Sequence, residues 1–262
     1  MRSLLMLTLR PAIGFTVALA AAFAVLCTAA WAGDRPARIL YFTHSAGYRH
    51  NVIPVSLEIL ERIGETGPRP FEVAASEDVS VFTPENLRRF GAVMFFTTGE
   101  LPMSDLQKKA LTDFVSDGGG FLGVHSATDT FYQWPEYGRL IGGYFDQHPW
   151  HQPVRIENAD PLDPLTAPVG RSLTLTDEIY QIRDFDAAGS HVLLRLDPAS
   201  VDLARENVHR HPWSWPLAWT RTYGTGRVFY TALGHEEGVW RDTRFRAMLH
   251  NAVLWAIGRG QP

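Results

Sequence analysis

Hydrophobic and polar positions along the chain form blocks that predict strands followed by helices. Predominantly apolar runs occur at 37–43, 91–98 and 120–126, and 70–76 has the character of another short strand. Apolar residues at helical spacing lie between these runs, most clearly in 51–64. Short buried strands that alternate with helices are typical of a parallel sheet with helices on its faces. This pattern predicts an α/β fold.

One helix has well-marked ends in the sequence. Ser104 and Gln107 have the spacing of a capping box, and Gly118 is typical of the residue that follows a helix. A final helix is predicted over 242–258, where apolar residues again recur at helical spacing.

The second half of the chain predicts further strands and two long connections. Strands are expected at 151–157 and 190–196, and a hairpin at 216–233. The connections at 126–150 and 197–215 are polar and rich in aromatic residues, and connections of this length usually build a site or are partly disordered. The tryptophans of the second connection suit contact with a sugar ring.

The first 32 residues have a different character from the rest. Arg2 and Arg10 precede an uncharged run at 15–32 that ends in Ala-Trp-Ala. This arrangement predicts a signal peptide at 1–32 and an exported protein, periplasmic or secreted. An uncleaved membrane anchor is the alternative, because 18 residues is the low edge of a bilayer span.

Composition excludes several kinds of chemistry. The single cysteine, Cys27, lies in the predicted signal peptide, so the remaining chain offers no disulfide and no thiolate. The formal net charge is −4, and −6 without residues 1–32, which indicates no nucleic-acid partner. All ten histidines lie beyond residue 32. Histidine and carboxylate groups are therefore the candidates for chemistry.

Polar residues collect after the predicted strands, where ligands of parallel sheets bind. They are Thr43, His44, Tyr48, Arg49 and His50 after the first strand, Thr97, Thr98 and Glu100 after the third, His125, Ser126, Thr128 and Asp129 after the fourth, Asp146, His148 and His151 further on, and His235, Glu236 and Glu237 after the hairpin. We expect these groups to meet at one end of the sheet. Two schemes remain open: imidazoles and carboxylates bind a divalent metal such as zinc, or histidines act as general acid and base.

Each histidine also has a structural interpretation. His44 or His50 could cap a helix, His148 and His151 could belong to a turn around Pro149 and Trp150, and His209 and His211 are expected at the surface. His125 could be a buried, hydrogen-bonded core residue. Its position at a strand end that follows glycines favours a site instead.

Five motifs occur in one order along the chain: THSAGYRHNVI (43–53), GGGFLGVHSATDTFYQWPEY (118–137), IGGYFDQHP (141–149), DEIYQI (177–182) and GTGRVFYTALGHEEGVWRD (224–242). Together they resemble the ThuA-like family, named for a trehalose-utilisation protein, over a single domain at 37–258. The resemblance implies a class I glutamine amidotransferase-like fold. That fold is an α/β, flavodoxin-like three-layer sandwich with a mostly parallel central sheet.

The resemblance also implies where the site lies. In the amidotransferases a strand-to-helix elbow presents a cysteine, and a later His-x-Glu pair completes the triad. Here His125 stands at the elbow, and His235 with Glu237 is similar to the pair. An imidazole cannot form the thioester, so glutaminase activity is excluded. Ser126, one residue beyond the elbow, is a weaker candidate nucleophile.

The family implies carbohydrate metabolism, with action on oxidised (3-keto) disaccharides or glycosides. We expect a hydrolase, lyase or isomerase that takes a small carbohydrate and holds a divalent metal such as zinc, with no nucleotide cofactor. The expected catalytic residues are His125, His235 and Glu237, the metal ligands His44, His125, His148 and His235, and the substrate contacts Arg49, Tyr48, Asp129 and Trp240. A non-catalytic carbohydrate-binding module and a subunit of a larger complex are the alternatives.

Overall fold

The strands predicted from the apolar runs form one half of a nine-stranded sheet. The fold is that of a computed structural model, which describes residues 37–258. The predicted signal peptide at 1–32 lies outside the described residues. Among the helices of the described part of the chain, none has the length and apolar character needed to cross a bilayer.

Strands and helices alternate in the first half of the chain, and strands predominate in the second. The strands are β1 (Ala37–Phe42), β2 (Phe71–Ser76), β3 (Ala92–Phe95), β4 (Gly120–Val124), β5 (Tyr144–Asn158), β6 (Ser172–Arg183), β7 (His191–Leu196), β8 (Pro216–Tyr223) and β9 (Gly226–Thr231). The helices are α1 (Ile53–Thr66), α2 (Pro84–Leu87), α3 (Asp105–Ser116), α4 (Pro135–Ile141), α5 (Glu237–Arg241) and α6 (Thr243–Ala256). The order in the sheet is β2-β1-β3-β4-β9-β8-β7-β5-β6.

The half of the sheet from β2 to β9 is parallel, as the alternating pattern predicts. Every residue of β3 and β4 is buried, which explains why these strands are uniformly apolar. The predicted capping box at the start of α3 is confirmed, because the Gln107 side chain accepts from the Ser104 backbone and the Ser104 hydroxyl accepts from the Gln107 backbone. The hydrophobic core includes these strands and their helices and continues into the antiparallel half of the sheet.

The expectation of a flavodoxin-like sandwich with a mostly parallel sheet is not confirmed. From β9 to β6 every pairing is antiparallel, and this half holds the longest strands, β5 with 15 residues and β6 with 12. No α-helix lies between β5 and β9 in the chain. Parallel neighbours need long crossovers, whereas antiparallel neighbours need only turns. Because no helices connect the strands from β5 to β9, these strands pair in antiparallel fashion.

Two features of this half differ from the sequence-based prediction. β5 begins at Tyr144, inside the connection predicted at 126–150, and β6 is a strand that the sequence pattern does not predict. The hairpin predicted at 216–233 is confirmed as β8 and β9. The connection at 197–215 contains no strand and only a short 3₁₀ turn.

The antiparallel half bends over the end of the parallel half. β4 and β6 are five strands apart in the sheet order, a separation of roughly 24 Å in a flat sheet. Yet His125, directly after β4, lies 3.5 Å from Glu178 of β6. The long β5–β6 hairpin therefore covers the carboxyl end of β4, where the predicted site lies.

We predict that Gly120→Ala destabilises the fold by about 1–3 kcal/mol, the usual effect of overpacking. A Cβ on Gly120 would lie 2.7 Å from the carbonyl oxygen of Ala256 in α6. Urea denaturation followed by circular dichroism measures the change. Gly238→Ala is the matched control, because its Cβ would meet no atom within 4 Å and alanine favours the helix. Equal midpoints for the two variants would contradict this account of the α6–β4 packing.

Candidate functional site

Four side chains from distant segments meet where β6 covers the end of β4. They are His50 from the loop after β1, His125 from the turn after β4, Glu178 from β6 and His235 from the loop after β9. One ligand atom from each lies within 4.8 Å of those from the others. The parallel strands bring three of these groups to one edge, and the hairpin brings the fourth.

The backbone at His125 has the strained geometry of an elbow. Its φ is 46°, in the left-handed region that few residues other than glycine adopt. The Tyr230 hydroxyl donates to the His125 carbonyl at 2.7 Å and the Tyr137 hydroxyl donates to the Ala127 carbonyl at 2.7 Å. These buried hydrogen bonds stabilise the turn in the form that directs the imidazole across the sheet edge.

One hydrogen bond determines the tautomer of His125. Its Nδ1 lies 2.8 Å from the Ala232 carbonyl oxygen, which can only accept, so Nδ1 carries the hydrogen. In the neutral ring Nε2 therefore has a lone pair, and it lies 3.5 Å from the Glu178 carboxylate. Two lone pairs at that separation repel each other unless a proton or a cation lies between them. His125 is fully buried, so bulk water does not relieve this repulsion.

His50 is buried beside these groups and is uncharged at neutral pH. Its ring centre lies 4.8 Å from that of His125 and 5.1 Å from that of His235, and its Nδ1 has no hydrogen-bond partner. Burial and the two neighbouring imidazoles lower the pKa of His50 to about 3. The ring is therefore a neutral imidazole with a free nitrogen, the form that binds metals.

Glu178 and His235 form the charged part of the cluster. His235 Nδ1 lies 3.2 Å from Glu178 Oε2 and 3.3 Å from His125 Nε2. Burial alone would raise the pKa of Glu178, but its contacts with His125 and His235, which favour the ionised carboxylate whenever a proton lies between it and a ring nitrogen, outweigh burial and hold the pKa well below its usual range. The hydrogen bond to Glu178 raises the pKa of His235, against the effect of burial. The carboxylate is therefore ionised at neutral pH.

Asp177 positions the loop that carries His235. Its two carboxylate oxygens accept from the backbone N–H groups of Gly234 at 2.8 Å and Glu236 at 2.9 Å. The side chain is fully buried, and burial raises the pKa of this carboxyl. Adjacent residues of β6 thus have separate tasks, since Asp177 holds the loop and Glu178 contacts its histidine.

Three members of the cluster, His50, Glu178 and His235, form the floor of a cavity of about 460 Å³, and the fully buried His125 does not line it. The lining residues are Tyr48, His50, Asp129, Phe145, His148, Glu178, Tyr180 and His235. Burial raises the pKa of the Asp129 carboxyl, although a 2.6 Å hydrogen bond from the Tyr132 hydroxyl opposes the effect. The cavity thus holds one strongly ionised carboxylate and one that binds a proton more readily than usual.

Some predicted site residues lie in or beside this cavity. His125 and His235 belong to the cluster, and Tyr48 and Asp129 line the cavity. His148 Nδ1 lies 3.3 Å from Glu178 Oε1, whereas His125 faces the other carboxylate oxygen, Oε2. His148 therefore contacts the cluster through Glu178.

Other predicted site residues have different partners. Glu237, expected to orient His235, pairs with Arg241 one helical turn away on α5, and Glu178 takes the place beside His235. His44 is bonded to the Glu77 carbonyl at 2.8 Å and lies outside the cluster. The turn after β1 directs His50 rather than His44 inward.

The remaining expected substrate contacts, and the weaker candidate nucleophile, lie outside the cavity lining. Trp240 is fully buried and donates to the Gly234 carbonyl, so its ring has no free face for a sugar. Arg49 is paired with Glu77 at 2.6 Å and lines a different cavity. Ser126 is fully buried and does not line the site, which leaves it no access to a substrate.

Sequence reasoning misses two members of the cluster as ligands. His50 lies close to His44 in the chain, and spacing alone cannot choose between them. Glu178 lies in DEIYQI, a motif that carries the family resemblance, and its Ile179, Tyr180 and Ile182 are of the β-branched and aromatic types that are enriched in strands. Interpreting that motif as a strand would place a carboxylate among the candidates.

Comparison with known proteins agrees with this architecture. A ThuA-like protein from Bacteroides uniformis ATCC 8492 is 21% identical, with 87% of this chain and 96% of that chain covered and a TM-score of 0.73. A ThuA-like protein from Parabacteroides merdae ATCC 43184 is 20% identical, with 87% and 92% covered and a TM-score of 0.67. A β-galactosidase from Rahnella sp. R3 is 14% identical, with 86% of this chain but 32% of that chain covered and a TM-score of 0.52. At these identities the likeness is one of fold.

The sequence itself matches a family model. No curated protein matches the chain significantly. The model for ThuA, described as trehalose utilisation, matches residues 38–256, which include all four residues of the cluster. The resemblance inferred from the five motifs is thereby confirmed, and the chain belongs to the ThuA family.

Proposed function

We propose that the protein is a metal-dependent enzyme that acts on a keto sugar or glycoside as a hydrolase, lyase or isomerase. The proposed metal ligands are His50, His125, Glu178 and His235. Compared with the set expected from sequence, His50 and Glu178 are added and His44 is left out. His148 is a partner of Glu178. The description of the family, trehalose utilisation, supports a sugar as substrate.

The distances between the candidate ligand atoms are the main support for a metal site. His125 Nε2, His235 Nδ1 and Glu178 Oε2 lie 3.2, 3.3 and 3.5 Å from one another. Tetrahedral zinc with bonds of about 2.0–2.1 Å separates its ligand atoms by about 3.3 Å. The three atoms thus already have the spacing of one face of such a site. A cation among them would also relieve the repulsion between the His125 lone pair and the carboxylate.

A divalent cation held by these residues would polarise a carbonyl or hydroxyl oxygen of the sugar. Polarisation of a carbonyl acidifies the adjacent C–H, whose proton must be removed in eliminations and isomerisations of keto sugars. Asp129 lies in the same cavity and does not belong to the cluster. Its raised pKa favours both acceptance of that proton and its return to the leaving oxygen.

The rest of the cavity suits a sugar. A volume of about 460 Å³ is within the usual range of about 300–1,000 Å³ for small-molecule sites. Tyr48 is 62% exposed at the cavity, and Phe145 and Tyr180 provide further ring faces. Aromatic faces pack against the C–H faces of sugar rings, while polar side chains hold hydroxyls.

The N-terminal segment supports export of this enzyme. The uncharged run at 15–32, the preceding arginines and the Ala-Trp-Ala sequence favour a cleaved signal peptide and a periplasmic or secreted protein.

We predict that Glu178→Gln and His235→Ala each bind one equivalent of zinc fewer than the unaltered chain. Removal of a ligand should weaken this site by at least about 100-fold, since partners outside the ligand set are themselves worth about 10–100-fold. Elemental analysis of protein purified without a histidine tag gives the stoichiometry. His44→Ala is the matched control, because His44 lies outside the cluster. Loss of zinc in His44→Ala and in His235→Ala, with retention in Glu178→Gln, would favour the ligand set expected from sequence.

We predict that zinc binding releases more protons at pH 6 than at pH 8.5. The pKa of His235 is raised, so at pH 6 its proton must leave before the metal binds, whereas at pH 8.5 fewer molecules carry it. His50, with a pKa of about 3, is neutral at both values and contributes no proton. Calorimetric titration in buffers of different ionisation enthalpy measures the release. Equal release at both pH values would contradict the protonation assigned to His235.

We predict that the zinc-loaded chain converts a 3-keto glycoside and that Asp129→Asn lowers kcat by about 100-fold or more, within the range of general acid–base catalysis. KM should change little, because the amide keeps the size of the side chain. Chromatography of the products measures turnover. Glu237→Gln is the control and should retain activity, since Glu237 pairs with Arg241 outside the cavity. Binding of keto sugars without turnover would instead identify a carbohydrate-binding module.

A further inference from the structure

A second group of metal-ligating side chains lies outside the cavity floor. Asp146 of β5 contacts His209 and His211, both from the connection between β7 and β8. One ligand atom from each lies within 4.8 Å of the others. His209 and His211, expected separately at the surface, are thus two members of one cluster in a His-x-His arrangement.

The two imidazoles converge on a single oxygen atom. His209 Nδ1 lies 2.6 Å and His211 Nε2 lies 3.2 Å from Asp146 Oδ2. The carboxylate can only accept, so each histidine nitrogen that faces it carries a hydrogen. If these hydrogens were released, two nitrogen lone pairs would face the carboxylate oxygen, and an ion among the three atoms could bind all of them. Imidazole and carboxylate are both common zinc ligands.

The surrounding structure holds the donors in place. The His211 ring stacks on Trp213, with ring centres 4.7 Å apart and planes 7° from parallel. The buried side chain of Gln181 accepts from the His209 backbone N–H at 2.8 Å and donates to the Asn207 carbonyl at 2.7 Å. The backbone on both sides of the histidines is therefore positioned without any ion.

The cluster is open enough for exchange with solvent. The side chain of Asp146 is 13% exposed, that of His211 23% and that of His209 47%. Tetrahedral zinc needs about 3.3 Å between ligand atoms, so His209 must move outward by less than about 1 Å. Its half-exposed ring has room for that movement.

We propose that Asp146, His209 and His211 form a second divalent-cation site that takes zinc and fixes the connection at 197–215 to β5. Asp146 follows Phe145 in a bulged part of β5, and both Phe145 and His148 line the cavity. An ion at Asp146 would join the connection to the strand that forms one wall of the cavity. The second site is independent of the proposed enzymatic function.

Zinc content and proteolysis of the whole chain test this site together. His209→Ala and Asp146→Asn should each bind one equivalent of zinc fewer than the unaltered chain. Glu178→Gln should lose a different equivalent, the one bound at the cavity. The two losses should therefore add in the double variant Asp146→Asn/Glu178→Gln. Saturating zinc should slow tryptic cleavage after Arg205 by about 10-fold or more in the unaltered chain. An ion that binds only when the connection at 197–215 is packed against β5 reduces the fraction of molecules in which the connection opens to the protease. Both effects should persist in Glu206→Gln, the control from the same exposed segment.

The outcomes separate the two sites. Loss of zinc in the Glu178 variant alone, with cleavage unaffected by zinc, would overturn the second site and leave the cavity site intact. Loss in the Asp146 and His209 variants alone, with protection by zinc, would support the second site and overturn the first. An unaltered chain that binds no zinc would overturn both.

Discussion

The contact between Glu178 and the histidines of the parallel half is the constraint on which the architecture of the site depends. A carboxylate on the last strand of the sheet order reaches His125 and His235 only because the β5–β6 hairpin bends across the carboxyl end of β4. The ion-pair energy of one such contact is modest. Its importance is geometric, since it closes the cavity and gives the histidines the negative partner that a metal site needs.

A histidine at the turn after β4 differs from a cysteine in what it can offer. A thiolate acts by itself as a nucleophile, whereas the fully buried imidazole of His125, with its hydrogen at Nδ1, offers only a lone pair at Nε2. That lone pair faces the Glu178 carboxylate, so a proton or a cation must lie between the two atoms. The antiparallel half therefore completes a cluster that the parallel half alone does not form.

The parallel half and its elbow could be predicted from the sequence because their signals are local. β1, β3 and β4 are short buried strands, and α3 has a capping box that depends on residues three positions apart. The ligand set could not be predicted in the same way. The choice of His50 over His44 depends on how a loop turns, and the contribution of Glu178 depends on a hairpin that bends across the sheet edge. Neither leaves a periodic signal in the chain.

The four side chains of the cluster come from positions 50, 125, 178 and 235, and this spread has a consequence for assembly. No two of them are neighbours in sequence, so an unfolded or partly synthesised chain presents single donors with negligible affinity for an ion. An ion bound at the proposed site would therefore enter a domain that has already folded, and the compartment where folding ends would determine which ions are available to it. An exported chain would acquire its metal after translocation, separated from the ion pool of the cytoplasm.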